Sequence, residues 1–65
     1  MTLRAARANT LSKRGKPLTI KEAAQLIGIH YQTLRNWEIG KSVPTVSDLE
    51  RICKAYNVSY DNLKI

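Results

Sequence analysis

Apolar residues recur along this chain at helical spacing, and the stripes they form are interrupted by residues that stop helices. Between Thr19 and Gly28 the apolar positions are Ala23, Ala24 and Ile27, with Leu26 on their flank, so one side of a helix is marked for burial. Thr19 followed three residues later by Glu22 is a capping-box pattern, and Gly28 is suited to the left-handed backbone that ends a helix. A tight turn of Gly28 and Ile29 leads to a further helix, with His30 at or near its cap and Gly40 closing it. Wound at about 100° per residue, this segment sets Thr33, Leu34 and Trp37 on one face and Tyr31, Gln32, Arg35, Asn36 and Ile39 on the other. The first face reads as an anchor. The second, rich in long hydrogen-bonding groups, is either ordinary solvated surface or a surface that reads a partner.

The same reading extends to both ends. A helix is expected over about residues 2–9, with Leu3, Ala6, Ala8 and Leu11 supplying part of an apolar face, followed by a basic loop, "SKRGKP", broken by Gly15 and Pro17. After the loop "KSVP", Thr45 or Ser47 caps a helix whose stripe is Val46, Leu49, Ile52, Cys53 and Tyr56, with Asn57 as its stop. Ser59 then caps a last short helix containing Tyr60 and Leu63. No strand pair with a hairpin turn is visible. The expectation is an all-α, compact, five-helix fold in which residues 1–65 form one domain.

Size narrows the function classes. A chain of 65 residues buries only about 60% of its unfolded surface, which leaves little room for a deep pocket and the shell of an enzyme site. No apolar stretch approaches the about 20 residues of a membrane span, and no hydrophobic signal segment follows Met1. A lone Cys53 forms no internal disulfide, so a reducing cytoplasm is the expected compartment. His30 is the single histidine, with no neighbouring nucleophile and acidic orienter, which makes an enzyme the remotest reading. One cysteine and one histidine make no zinc pattern, and Gly15, Gly28 and Gly40 are isolated punctuation rather than a phosphate loop. Cys53 is read as a packed thiol. No metal, cofactor or small-molecule ligand is indicated.

Charge changes the picture more. The formal net charge is +6, and the first 21 residues hold Arg4, Arg7, Lys13, Arg14, Lys16 and Lys21 with no acid until Glu22. From Glu22 onward five bases balance five acids, so the whole excess lies in the first third. That points to a polyanion: nucleic acid first, an anionic membrane surface second, with a solvated segment that only aids solubility as the plain alternative.

A helix, a short turn containing Gly28, and a second helix make the helix-turn-helix pattern. Ala24 is small where the two helices would cross, Gly28 takes the positive φ of a sharp turn, and Ala23, Ile27, Ile29, Leu34 and Trp37 are apolar where a core must be shared. On these residues, and on "NWEIGK" (36–41) and "VPTVSDLERICKAYNVSYDNL" (43–63), the chain resembles the phage repressor and Cro-type, lambda-repressor-like (XRE) helix-turn-helix family over about residues 18–63.

The resemblance implies that the third helix enters the DNA major groove. His30, Tyr31, Gln32 and Asn36 match the places from which the family contacts bases and nearby phosphates, and Arg35 points the same way. The side chains suit the task, since Gln and Asn bond bidentately to adenine and Arg to guanine. Phosphate contacts are expected at the amino end of helix two, from Thr19 and Lys21 beside Lys13, Arg14 and Lys16, and on the other side from Gly40, Lys41 and Ser42. The family also commonly pairs a glutamate at the position of Glu38 with an arginine of helix one, here Arg7. Two departures stand out. Ile20 occupies a position where the family often has glutamine, and the loop from Thr10 to Leu18 is longer than is common.

The function so implied is sequence-specific binding of double-stranded DNA by a transcriptional regulator of phage or mobile-element type, acting by occupancy as a homodimer on a near-palindromic operator. In "NVSYDNLKI", Val58, Tyr60, Leu63 and Ile65 either form the dimer contact or seal the monomer core. Two rivals remain: an antitoxin or adaptor module that binds protein with this fold, and a nonspecific binder of nucleic acid or anionic membrane. A polar, basic reading face weighs against the first, and Ile39 beside Tyr31 is its one supporting feature.

Overall fold

The computed structural model describes residues 1–64, which fold as α1 (Leu3–Ala8), α2 (Ile20–Ile27), α3 (Tyr31–Glu38), α4 (Val46–Tyr56) and a 3-10 turn at Tyr60–Asn62. No strand forms among these residues, and only isolated bridges join Thr2 to Lys64 and Leu11 to Pro17. The fold is therefore all-α, but with four α-helices rather than the five expected. Ser59 makes no side-chain cap bond, and Leu63 is already extended at φ −93°, ψ 131°. Leu63 packs half-buried on the core while the amide of Lys64 donates to the carbonyl of Met1 at 2.7 Å, so the backbone leaves the helical path after one turn.

Each α-helix begins on a side-chain cap. Thr2 Oγ1 accepts from the Ala5 amide in α1, and α2 and α4 open on complete capping boxes, Thr19 with Glu22 and Thr45 with Asp48. Thr45, not Ser47, takes that role. The backbone amide of Thr19 holds the Glu22 carboxyl below the usual carboxylate range, and the amide and hydroxyl of Thr45, then Arg51, do the same for Asp48. A carboxyl lowered on folding stabilises above its unfolded pKa, and this contribution is lost as pH falls through the folded value. The melting temperature should therefore fall below about pH 5, and Glu22→Gln with Asp48→Asn should flatten that slope. Thermal melts followed by circular dichroism between about pH 5 and 2 check this. An unaltered slope would show that neither cap is responsible.

The core joins Leu3 and Ala6 of α1, Leu18 from the loop before α2, Ala23, Ala24 and Ile27 of α2, Leu34 and Trp37 of α3, and Leu49, Ile52 and Tyr56 of α4. Helix α2 packs on both α3 and α4, and α1 packs on α3. Ala8 and Leu11 do not join it, and Leu11 is 65% exposed. The chain turns back after Asn9: Thr10 Oγ1 donates to the Ala6 carbonyl at 2.8 Å, and the Leu18 amide donates to the Thr10 carbonyl at 3.0 Å. Leu18 thereby fills the place that helical spacing had assigned to Leu11. Between them the long loop is a small hairpin-like turn, closed by the Ser12 amide on the Lys16 carbonyl (2.7 Å) and by Gly15 at φ 75°. On α4, Val46 is exposed and Cys53 only half-buried, so both sit outside the core that the stripe had expected them to join.

The hydroxyl of Tyr56 is buried with no hydrogen-bond partner, and burial together with nearby Glu38 pushes its pKa up to about 12. Tyr56→Phe removes a desolvated group that repays nothing, so stability should be unchanged or rise by up to about 1 kcal/mol in urea unfolding. A larger loss would mean that this hydroxyl has a partner.

Candidate nucleic-acid interface

Helix α3 stands on its apolar side and leaves its polar side outward. Leu34 is fully buried and Trp37 nearly so, while Tyr31, Gln32 and Arg35 are exposed and Asn36 is half-exposed. The sharp approach between α2 and α3 is made at Gly28, whose φ of 90° only glycine adopts without strain. A Cβ there would meet nothing closer than Arg51 Nη1 at 3.9 Å, so the requirement is conformational and not one of space. Ala24 accepts both following amides at its carbonyl, from Gly28 at 2.8 Å and Ile29 at 2.9 Å.

His30 is a cap in its own right. Its Nδ1 accepts from the Gln32 amide at 3.1 Å, which leaves Nε2 to donate outward. The imidazole stacks on the Tyr31 ring with centroids 4.6 Å apart, and Lys21 Nζ lies 5.3 Å from the centre of that ring. Tyr31 is thus held by α2 as well as by α3. One turn along, Gln32 Nε2 donates to Asn36 Oδ1 at 3.2 Å, which orients two adjacent amides on the outward face. The carboxamide oxygen of Gln32 and the amino group of Asn36 then remain to meet a partner.

Arg35 points elsewhere. It lines a cleft with Arg4, Thr19, Ile20 and Ile39, at the amino end of α2, where the first amides of a helix lack partners of their own. Arg35 thus shares its cleft with Arg4 and not with the Gln32 and Asn36 amides. Arg4 was not among the expected contact residues. Its signal was its place three residues before Arg7, on the same side of α1. Arg7 itself is engaged: Nε and Nη2 bond both carboxylate oxygens of Glu38 at 2.8 and 3.1 Å, and Nη1 donates to the Leu18 carbonyl at 2.9 Å. The Glu38 side chain is only 2% exposed, and its pairing holds the Arg7 guanidinium above the usual arginine value. Arg7 therefore belongs to the scaffold, tying α1 and the loop to the outward-facing helix.

Lys13, Lys16 and Lys21 are exposed, while Arg14 shares its charge with Glu22 at 3.1 Å. Beyond α3 the amides of Gly40, Lys41 and Ser42 all turn inward, the first to Trp37 and the others to the Asn36 carbonyl. The backbone at Gly40 turns with φ 80° while its amide donates to the Trp37 carbonyl at 3.3 Å. The side chains of Lys41 and Ser42 stay exposed. Among the described residues no group of three or more metal-ligating side chains comes together, and no helix is long and apolar enough to cross a membrane.

Comparison with known proteins agrees with this geometry. A family model described as helix-turn-helix matches residues 16–63, from the end of the basic loop through the 3-10 turn. No curated protein and no solved structure matches the chain significantly. With a helix pair of this geometry inside a match covering well over half its length, the chain belongs to the Cro/XRE-type helix-turn-helix family of DNA-binding transcription regulators.

Proposed function

We propose that residues 1–65 act as one DNA-binding domain that reads a specific operator, in the manner of a phage or mobile-element repressor or Cro protein. The observation that carries this reading is the outward face of α3, where Gln32 and Asn36 form an oriented amide pair beside a pinned Tyr31. Gln32, Asn36 and Tyr31 read bases in the major groove, with His30 Nε2 as a donor at its edge. Arg35, Arg4, Thr19, Lys21 and the basic loop at Lys13, Arg14 and Lys16 take phosphates on one side, and Lys41 and Ser42 on the other. A bound copy regulates by occupying the site, without chemistry.

A homodimer on a near-palindromic operator suits a domain that buries so little surface alone, with half-sites about one helical turn apart. Val43 and Tyr60 are exposed next to Leu49 and Leu63, and this apolar patch supports the reading as a candidate dimer contact of modest size. Val58 and Leu63 are half-buried against the core, so of the expected contact residues Tyr60 is the one left outward, and Ile65 lies outside the described residues.

Selection of bound duplexes from a randomised library at about 150 mM salt tests the reading, with an inverted repeat as the expected product. Gln32→Ala should cost about 1–3 kcal/mol on the selected site and relax one base position. Replacing Lys13 should weaken all sequences alike and flatten the dependence of affinity on salt. If Gln32→Ala left the preference unchanged, the assignment of the reading face would fall.

A further inference from the structure

A second surface lies on α2 between the loop and α4, and no residue of α3 lines it. Leu26, on α2, is 57% exposed and sits where two shallow grooves meet. One runs toward the loop and is lined by Leu11 and Leu18 together with Lys13, Arg14 and Glu22. The other runs toward α4, with Ile27 and Ala55 in its floor and Arg51 and Lys54 at its edge. Leu11 and Leu26 gain nothing for the monomer in these positions, because both remain largely in water. An apolar strip between cations is also a poor seat for DNA, whose phosphates would meet leucine where they need donors. From this juxtaposition we infer that the Leu11–Leu26 strip docks an acidic amphipathic helix of a partner protein while α3 faces DNA.

The charge decides the occupant. Lys13 and Lys54 form no ion pair among the described residues, whereas Arg14 and Arg51 are each partly satisfied by Glu22 and Asp48. Carboxylates flanking a row of leucines would meet Lys54 and the donors of Arg51 that Asp48 leaves free as the leucines cover Leu26, while Lys13 stays with the operator phosphates. A second copy of this chain is badly matched to that role. Of its five acids, Glu22, Glu38 and Asp48 are already ion-paired, which leaves Glu50 and Asp61 against a net charge of +6. Leu26, Arg51 and Lys54 take no part in the operator reading, so docking at them stands or falls separately from it.

The test uses the full chain and a fluorescein-labelled peptide of about two heptads, with leucine at every third or fourth position and glutamate and alanine elsewhere. Its anisotropy should rise on binding, and a scrambled peptide of the same composition should bind much less. Leu26→Ser should weaken the peptide by about tenfold, and Lys54→Glu should weaken it several-fold, with DNA affinity unchanged in both. Both side chains are exposed, and thermal melts confirm that each variant is folded. Equal binding of the scrambled peptide would reduce the surface to charge and overturn the proposal. So would binding indifferent to Leu26→Ser. Absence of peptide binding would overturn it as well, in favour of a lipid surface if vesicles of phosphatidylcholine and phosphatidylglycerol were bound through Leu26, or of a second copy if self-association depended on it.

Discussion

Replacing Leu34 with alanine is expected to destabilise the domain by about 2–5 kcal/mol, the range for deleting a fully buried leucine side chain. Leu34 has no exposed surface, and α2 and α3 share the core into which it projects. Total stability for a chain of this length is roughly 3–10 kcal/mol, so this one change can consume most of it. Alanine's slightly better helix propensity returns only a few tenths of a kcal/mol. Leu26→Ala is the matched control: the same substitution on an adjacent helix, at a side chain 57% exposed, should cost about 0.5 kcal/mol or less. Urea unfolding followed by fluorescence of Trp37, the single tryptophan, compares the two directly. Equal losses would mean that α3 does not stand on its apolar side as described.

The second large effect is expected at Arg7. Arg7→Ala strands the Glu38 carboxylate, which is 2% exposed and takes two hydrogen bonds from that guanidinium. Breaking a buried pair from one side costs about 3–5 kcal/mol, because the remaining charge stays desolvated. Two features pull the value to the low end, about 3 kcal/mol: Arg7 is itself 19% exposed, and Arg4 Nε lies 3.8 Å from Glu38 Oε1. Arg4→Ala, at a side chain 67% exposed, should cost well under about 1 kcal/mol in stability while reducing affinity for DNA of any sequence. The Arg7 variant should also weaken specific binding beyond its loss of fold, since the pair joins α1 and the loop to α3. Urea midpoints and binding isotherms, taken where the variant is still folded, separate the two effects. A Glu38→Gln variant that lost as much as Arg7→Ala would contradict the asymmetry, because glutamine leaves no stranded charge behind.

The candidate site was legible in the sequence to the extent that local rules govern it. The three caps at Thr19, Thr45 and His30 were each signalled by residues within a few positions, as were the stops at Gly28 and Asn57. The apolar face of α3 was legible for the same reason: Leu34 and Trp37 lie three apart on one side of a helix. Residues at chain ends and loops were not, because their partners are distant. Nothing local tells that Leu18 and not Leu11 fills the core beside α1, since the choice depends on the turn that brings Leu18 back to Thr10. Nor does a pattern of serine, tyrosine and leucine reveal that the segment after Ser59 ends in a single turn, because the carbonyl of Met1 competes for its backbone.

By itself the sequence determined the helices, their caps, the turn at Gly28 and the side of α3 that is kept from the core, because each rests on spacing within one or two turns. Charge imbalance added a polyanionic partner, since net charge needs no fold to be read. Tertiary structure alone decided which cations are free to use. Arg7 is spent on Glu38, Arg14 is shared with Glu22, and Arg4 and Arg35 are brought to one cleft from helices about thirty residues apart in the chain. It likewise decided that Leu11 and Leu26 share a groove while the amides of Lys41 and Ser42 are turned away from solvent. Contacts of this kind depend on the relative placement of whole elements, which periodicity along a single helix does not encode.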